Sequence, residues 1–185
     1  MTAPTLAPIA GLTAGRYEID PAHSEVTFSI RHLVSKVRGS FTEFSGELTV
    51  ADDLGLSSAS ADITMASVNT RNAQRDEDLR SGNIFGTEQY PLMTFRSTGV
   101  RSGSGGAYLV DGELTIREIS RPVTLTVEYH GTDQDPWGGT RAGFTATTSI
   151  ERKEFGIDFN VPLQGDKVLL GDKVEIQIEI EAILK

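Results

Sequence analysis

The densest group of ionisable side chains is the run Arg75-Asp-Glu-Asp-Leu-Arg80. Two acids in such a run can do general acid–base work if one of them is desolvated. On a helix, Asp76 and Arg80 lie four apart and Arg75 and Asp78 three apart, so the same charges can pair with one another. The plain reading is a solvated face carrying ion pairs; the sharper one is an enzyme acting on an amphiphile through Asp76 and Asp78. The three histidines are scattered. His23 and His32 are separated by ~30 Å of chain if it is extended. His130 is out of phase with the apolar row Val123–Tyr129 and should face water. Only His32 shares phase with Phe28 and Ile30, either as a satisfied inner histidine or as a polar contact to a ligand head group. The chain has no cysteine, so it offers no disulfide and no thiolate, and no metal site is expected. The glycines at 103–106 do not lead from a strand into a helix and make no phosphate cradle. GxSxG, Walker A, HExxH and GxGxxG motifs do not occur. No catalytic residue is assigned. Trp137, in the DPWGG turn, is expected to pack over a barrel end.

The elements that must position these residues are mostly strands. Val26, Phe28, Ile30 and His32 alternate with Glu25, Thr27, Ser29 and Arg31, the period-two pattern of a strand with one buried face. The same pattern recurs at Val37–Phe41, Gly46–Val50, Ala59–Met65, Met93–Phe95, Tyr108–Ile116, Val123–Tyr129, Ala142–Ile150 and Val174–Ile180. Short turns between alternating segments argue for antiparallel pairing, in a sandwich or a closed barrel. Small residues recur on the inward rows at Ala59, Ala61, Gly112, Ala142 and Ala146. They leave space for a ligand or fit the taper of a filled barrel, and alternation does not choose between the two.

One stretch breaks the pattern. Asn72 suits a helix N-cap, Gly82 suits C′, and the run between them is helix-compatible. Tyr90-Pro91 then turns the chain into a new strand at Leu92–Val100. A short helix around 73–81, inserted between strands, is expected to cover the mouth of an apolar interior.

The bulk properties bound the rest. A chain of 185 residues points to one domain. A net charge of −9 argues against nucleic-acid partners and against docking on anionic membranes through basic patches. No apolar run approaches the roughly 18 residues of a membrane span, so no stable membrane insertion is expected. The N-terminal stretch has no Lys or Arg and is broken by Pro4 and Pro8, unlike a secretory signal. Residues 1–14 are expected as a flexible tail, 15–185 as the barrel, and the protein as cytoplasmic.

The stretches EIDPAHSEVTFSIRHL, VRGSFTEFSGEL, SVNTRNAQRDEDLRS, NIFGTEQYPLMTFRST, GELTIREISRPVTL, DPWGG and ERKEFGI, in this order, resemble the YceI-like family of lipid-binding, often polyisoprenoid-binding, proteins. One departure is Glu118, where the family usually carries glycine, at a strand end where it should affect a turn. The resemblance implies an all-β fold: an extended antiparallel eight-stranded lipocalin-like barrel with the short helix as its cap. It implies a long apolar tunnel for an isoprenoid, a quinone-type tail or another amphiphilic lipid, with carriage and no catalysis, no cofactor beyond that lipid, and a homodimer. Phase then assigns the wall. The first strands contribute Phe28, Ile30 and Phe41. Ile63 and Met65 precede the helix, and Met93 and Phe95 follow it. Leu114, Ile116, Leu125 and Val127 come next, then Phe144, Ile176 and Ile178. His32, Asn69 and Arg75 are the polar candidates for a head group. A filled interaction module without ligand is the remaining alternative.

Overall fold

The computed structural model describes residues 4–185. Its strands, in chain order, are β1 (Gly15–Ile19), β2 (Glu25–His32), β3 (Ser35–Phe41), β4 (Phe44–Val50), β5 (Ser58–Thr64) and β6 (Val68–Asn69). Helix α1 (Ala73–Arg80) follows. Then come β7 (Leu92–Ser102), β8 (Tyr108–Ile116), β9 (Ile119–Gln134), β10 (Thr140–Glu151) and β11 (Leu170–Leu184). All pairings are antiparallel, as the short turns required.

Eight strands close a barrel in the order β1-β4-β5-β7-β8-β9-β10-β11, sealed by β1 on β11 through Tyr17–Leu184 and Ile19–Ala182. Strand β11 is long enough to serve two partners. Its C-terminal end pairs with β1, and its residues 170–179 pair with β2. β1 and β2 therefore lie one after the other along the same edge of β11, joined by a corner. Pro21 has no N–H to give to a ladder, and the Asp20 carboxylate caps the corner by accepting from Ala22 N. Glu181 bridges the break: its N–H donates to Ser24 Oγ and its carbonyl accepts from Asp20 N.

This corner gives the barrel two different ends. At the β1 end the wall is closed. At the other end β2 carries β3 and then the two-residue β6, and here the ladder stops. The chain leaves β5, passes through β6, α1 and residues 81–91, and only then forms β7 beside β5. The helical insert thus sits where the sheet is split.

Two clusters fill the interior. At the closed end Tyr17, Leu12, Ala142, Phe144 and Ala182 pack together. Tyr17 is fully buried, its hydroxyl donates to Thr13 O, and burial raises its pKa. Burying a side chain of this size contributes on the order of 1.5–3 kcal/mol. Ala142, Ala146 and Ala182 have almost no exposure, and a Cβ on Gly112 would meet the Phe95 ring. These small residues make room for large neighbours in a filled half and do not mark a void. The second cluster, around Met65, Met93, Phe95, Leu114 and Phe155, runs toward the split end.

The structure bears on three expectations. Residues 1–3 of the expected tail lie outside the described residues, and within 4–14 the chain contacts the barrel. Leu6 N–H donates to Asp53 Oδ1 and Leu12 is buried against the closed end. Trp137 is 84% exposed and packs over neither end, because its turn is held by Asp135 and not by the indole. Glu118 does sit in a turn, and both it and Arg117 adopt positive φ, 63° and 53°. The two-residue turn joining β8 to β9 needs left-handed residues, which glycine would supply without strain.

Candidate functional site

Strands β2 and β3 bring Phe28, Ile30 and Phe41 onto one inward face; Phe28 and Phe41 stack with ring centroids 5.5 Å apart. Phe28 can lie across the sheet because its cross-strand neighbour is Gly39, where a Cβ would fall 2.4 Å from the ring. Across the interior stand Met65, Met93 and Ile116, and on the same side as β2 stands Ile176. Together these enclose an apolar cavity of about 420 Å³. It runs along β2 from Val26 to His32, which at about 3.3 Å per residue is ~20 Å.

The insert closes one end. Asn72 caps α1 by accepting from Arg75 N at 2.9 Å, as expected. Gly82 does not act as a left-handed C′ residue. The helix stops instead at Ser81, whose hydroxyl donates to Asp78 O at 2.6 Å. The charges of α1 do not pair among themselves. Asp76 is buried and accepts from Thr70 N at 2.8 Å and Thr70 Oγ1 at 2.6 Å. Arg75 donates to Thr70 Oγ1 and Thr70 O, and Arg80 donates to Ala66 O. The helix side chains therefore clamp the strand–helix junction, a tertiary demand that i,i+4 spacing does not reveal. Asp76 and Asp78 consequently do not share a site: one is spent on Thr70, the other is exposed at the cavity rim beside Gln74.

Of the seventeen candidates, the cavity brings together Phe28, Ile30, His32, Phe41, Met65 and Met93, with Ile116, Ile176 and Arg75. The others do not line it. Ile63, Phe95 and Leu114 are packed core, with Leu125 and Ile178 against them. Phe144 and Val127 belong to the closed end. Inward phase is thus necessary for a wall position but not sufficient: Ile63, Phe95 and Leu114 share a cluster with the wall residues Met65, Met93 and Ile116 and are still fully packed. Asn69 is exposed and accepts from Arg71 N. It borders an open polar trough of about 980 Å³ with Thr27, Arg38, Thr126, Glu175 and Gln177. An apolar chain would gain nothing among such groups.

Sequence reading missed the rest of the wall. Leu79 of α1, and Ile84 and Phe85 after it, reach the cavity. So do Ile157, Phe159 and Leu169, from the segment between β10 and β11, and Leu170 at the start of β11. Arg152 organises that segment. It is 3% exposed and donates to Gly171 O, Ile157 O and Phe159 O, with Asp172 as counterion at 3.6 Å. The signal was an irregular run of apolar residues without period, which carries no facing information.

Among the described residues, one cluster could offer metal ligands: atoms of Asp20, His23 and Glu181 lie within 4.8 Å of one another. Arg141 already occupies it, donating to Asp20 Oδ2 at 2.7 Å, Glu181 Oε1 at 2.9 Å and Asp135 Oδ2 at 2.9 Å. The guanidinium and His23 hold the Asp20 carboxyl down to about 2. This knot braces the β1–β2 corner.

A family model described as the YceI-like domain matches residues 17–182. A UPF0312 protein of Shewanella baltica is 35% identical, over 97% of this chain and 93% of its own length. Among solved structures, BcnA of Burkholderia cenocepacia superposes with a TM-score of 0.75 at 23% identity, covering 88% of this chain and 98% of that one. A polyisoprenoid-binding domain from Saccharophagus degradans, implicated in plant cell wall breakdown, superposes with a TM-score of 0.67 at 16% identity, covering 94% and 100%. The last two establish the shared fold.

Proposed function

The chain belongs to the YceI-like family, and from that premise we propose that it binds one isoprenoid, quinone-type tail or similar amphiphilic lipid in the cavity between β2–β3 and the α1 insert. The observation that carries this is the cavity itself: an elongated, mainly apolar space lined by Phe28, Ile30, Phe41, Met65, Met93 and Ile176, with a minority of polar side chains, His32 and Arg75 among them. A neighbour of the same fold is a polyisoprenoid-binding domain, which favours an isoprenoid among the amphiphiles.

Affinity in such a site comes from area. Each methylene taken out of water contributes about 0.8 kcal/mol, less the cost of ordering the chain. Met65 and Met93 provide a wall that adapts to a flexible tail. The filled end around Tyr17 and Phe144 stops the chain, so length is selected by where packing begins and not by an open tunnel. Binding and release need no chemical step, and the acid pair that turnover would have used is split between two environments.

Organic extraction of purified protein followed by mass spectrometry tests the proposal. A co-purifying prenyl compound, or uptake of added geranylgeraniol in equal molar amount, is the expected result. Repeated extraction without any long-chain compound, together with no uptake, would overturn it.

A further inference from the structure

The described residues leave eight large apolar side chains exposed, and five of them stand at one place. Leu33 and Val34 form the tip of the β2–β3 hairpin, with Val34 fully in solvent. Phe159, Val161 and Val168 come from the segment between β10 and β11. Backbone bonds tie the two pieces together: Leu33 N–H donates to Leu169 O, and Leu169 N–H donates to Val161 O. Phe159 and Leu169 also line the cavity, and His32, next to Leu33, does too. The apolar rim is thus continuous with the inner wall.

The hairpin tip is costly as built. Leu33 has φ 52°, a left-handed conformation that a two-residue turn would normally assign to Gly, Asn or Asp. Strain of this kind persists where something else selects the residue. The charge balance also reverses here. Residues 30–38 carry Arg31, Lys36 and Arg38 and no acid, and residues 157–171 carry Lys167 against Asp158 and Asp166. Lys36 is paired with Glu175 at 3.3 Å, so in a chain with 26 acids and 17 bases the groups around its most apolar exposed surface keep only a small net positive charge.

We propose that this rim is an interfacial docking site for a lipid bilayer with anionic head groups, through which the cavity exchanges its ligand with the membrane. Leu33, Val34 and Phe159 enter the head-group boundary, and Arg31 and Lys167 meet the phosphates. The inference rests on the reading of the cavity as a lipid site. It assigns the His32 end of the cavity as the mouth.

The test is flotation of the full chain with extruded vesicles of phosphatidylcholine, with and without phosphatidylglycerol, using wild type, Val34→Asp and Leu33→Gly. Uptake of geranylgeraniol is measured in parallel without vesicles. Wild type should float with the anionic vesicles and less with the neutral ones. Both variants should partition at least about tenfold more weakly, the scale of losing the burial of one large apolar side chain. Leu33→Gly relieves the turn and should melt no lower than wild type, so its loss of flotation cannot be unfolding. Wild type that floats with neither vesicle, or variants that float like wild type, would overturn the proposal. So would Val34→Asp converting a dimer to monomers with no vesicle binding, which would show that a second copy covers the rim. Intact flotation with no geranylgeraniol uptake would instead overturn the cavity reading and leave the docking.

Discussion

Two glycines offer the same substitution, one beside the cavity and one in packed core, and the structure gives them different costs. A Cβ on Gly39 would lie 2.4 Å from Phe28 Cζ, with Thr70 Cγ2 at 3.0 Å. A Cβ on Gly112 would lie 2.4 Å from Phe95 Cζ and 2.7 Å from the carbonyl oxygen of Arg96. The Phe28 ring borders the cavity and can swing into it. The Phe95 ring is in packed core, and the Arg96 carbonyl is backbone in a ladder. Overpacking costs about 1–3 kcal/mol, and Gly→Ala returns about 0.4–1 kcal/mol by restricting the unfolded chain. Gly39→Ala should therefore destabilise by about 0–1 kcal/mol, and Gly112→Ala by about 2 kcal/mol or more. For a chain of this size about 1 kcal/mol moves the melting temperature by about 2–4 °C, so thermal unfolding followed by circular dichroism separates them. The displaced ring should also fill part of the cavity, so Gly39→Ala should take up less geranylgeraniol while Gly112→Ala, where folded, should not. Equal melting losses, or unchanged uptake by Gly39→Ala, would refute the placement of the void beside Phe28.

Asp76→Ala removes the acceptor of both Thr70 donors in a buried setting. It should cost about 1–3 kcal/mol, read as a lower melting temperature with looser α1 protection in hydrogen exchange. Glu118→Gly should stabilise by about 0.5–1 kcal/mol, because a left-handed residue other than glycine carries about 1–2 kcal/mol of strain and glycine returns part of it to the unfolded chain; denaturant titration checks this. Asp20 is held at about 2 against an ordinary 3.8, chiefly by Arg141 and then by His23. A depressed carboxyl contributes stability that is present above about pH 4 and is lost as pH falls toward 2. The melting-temperature gap between wild type and Asp20→Asn should therefore be widest near neutral pH and should close over that window.

Much of the barrel was legible because its strands have one buried and one solvated face. The row Val174, Ile176, Ile178, Ile180 needs no partner to be identified, and short turns leave few ways to pair such rows. The cap at Asn72 was legible for the same local reason: its side chain reaches Arg75 N within one turn. The charged residues of α1 were not. Spacing offered Asp76 to Arg80, but Thr70, brought alongside by β6, offers two donors in a buried place, and a buried pair of hydrogen bonds outweighs an exposed ion pair.

The void was decided entirely at the tertiary level. Alternation put Phe28, Ile30, Met93, Phe95, Leu114 and Phe144 on the same inner surface and could not tell wall from plug. The difference comes from the corner at Asp20–Ser24, which lets β11 pair with β1 at one end and β2 at the other. One end closes around Tyr17; the other is split and covered by α1 and the Arg152-anchored segment. Residue periodicity records which way a side chain points. It does not record how far away the opposite wall stands, and that distance is what separates a packed core from a cavity that can hold a ligand.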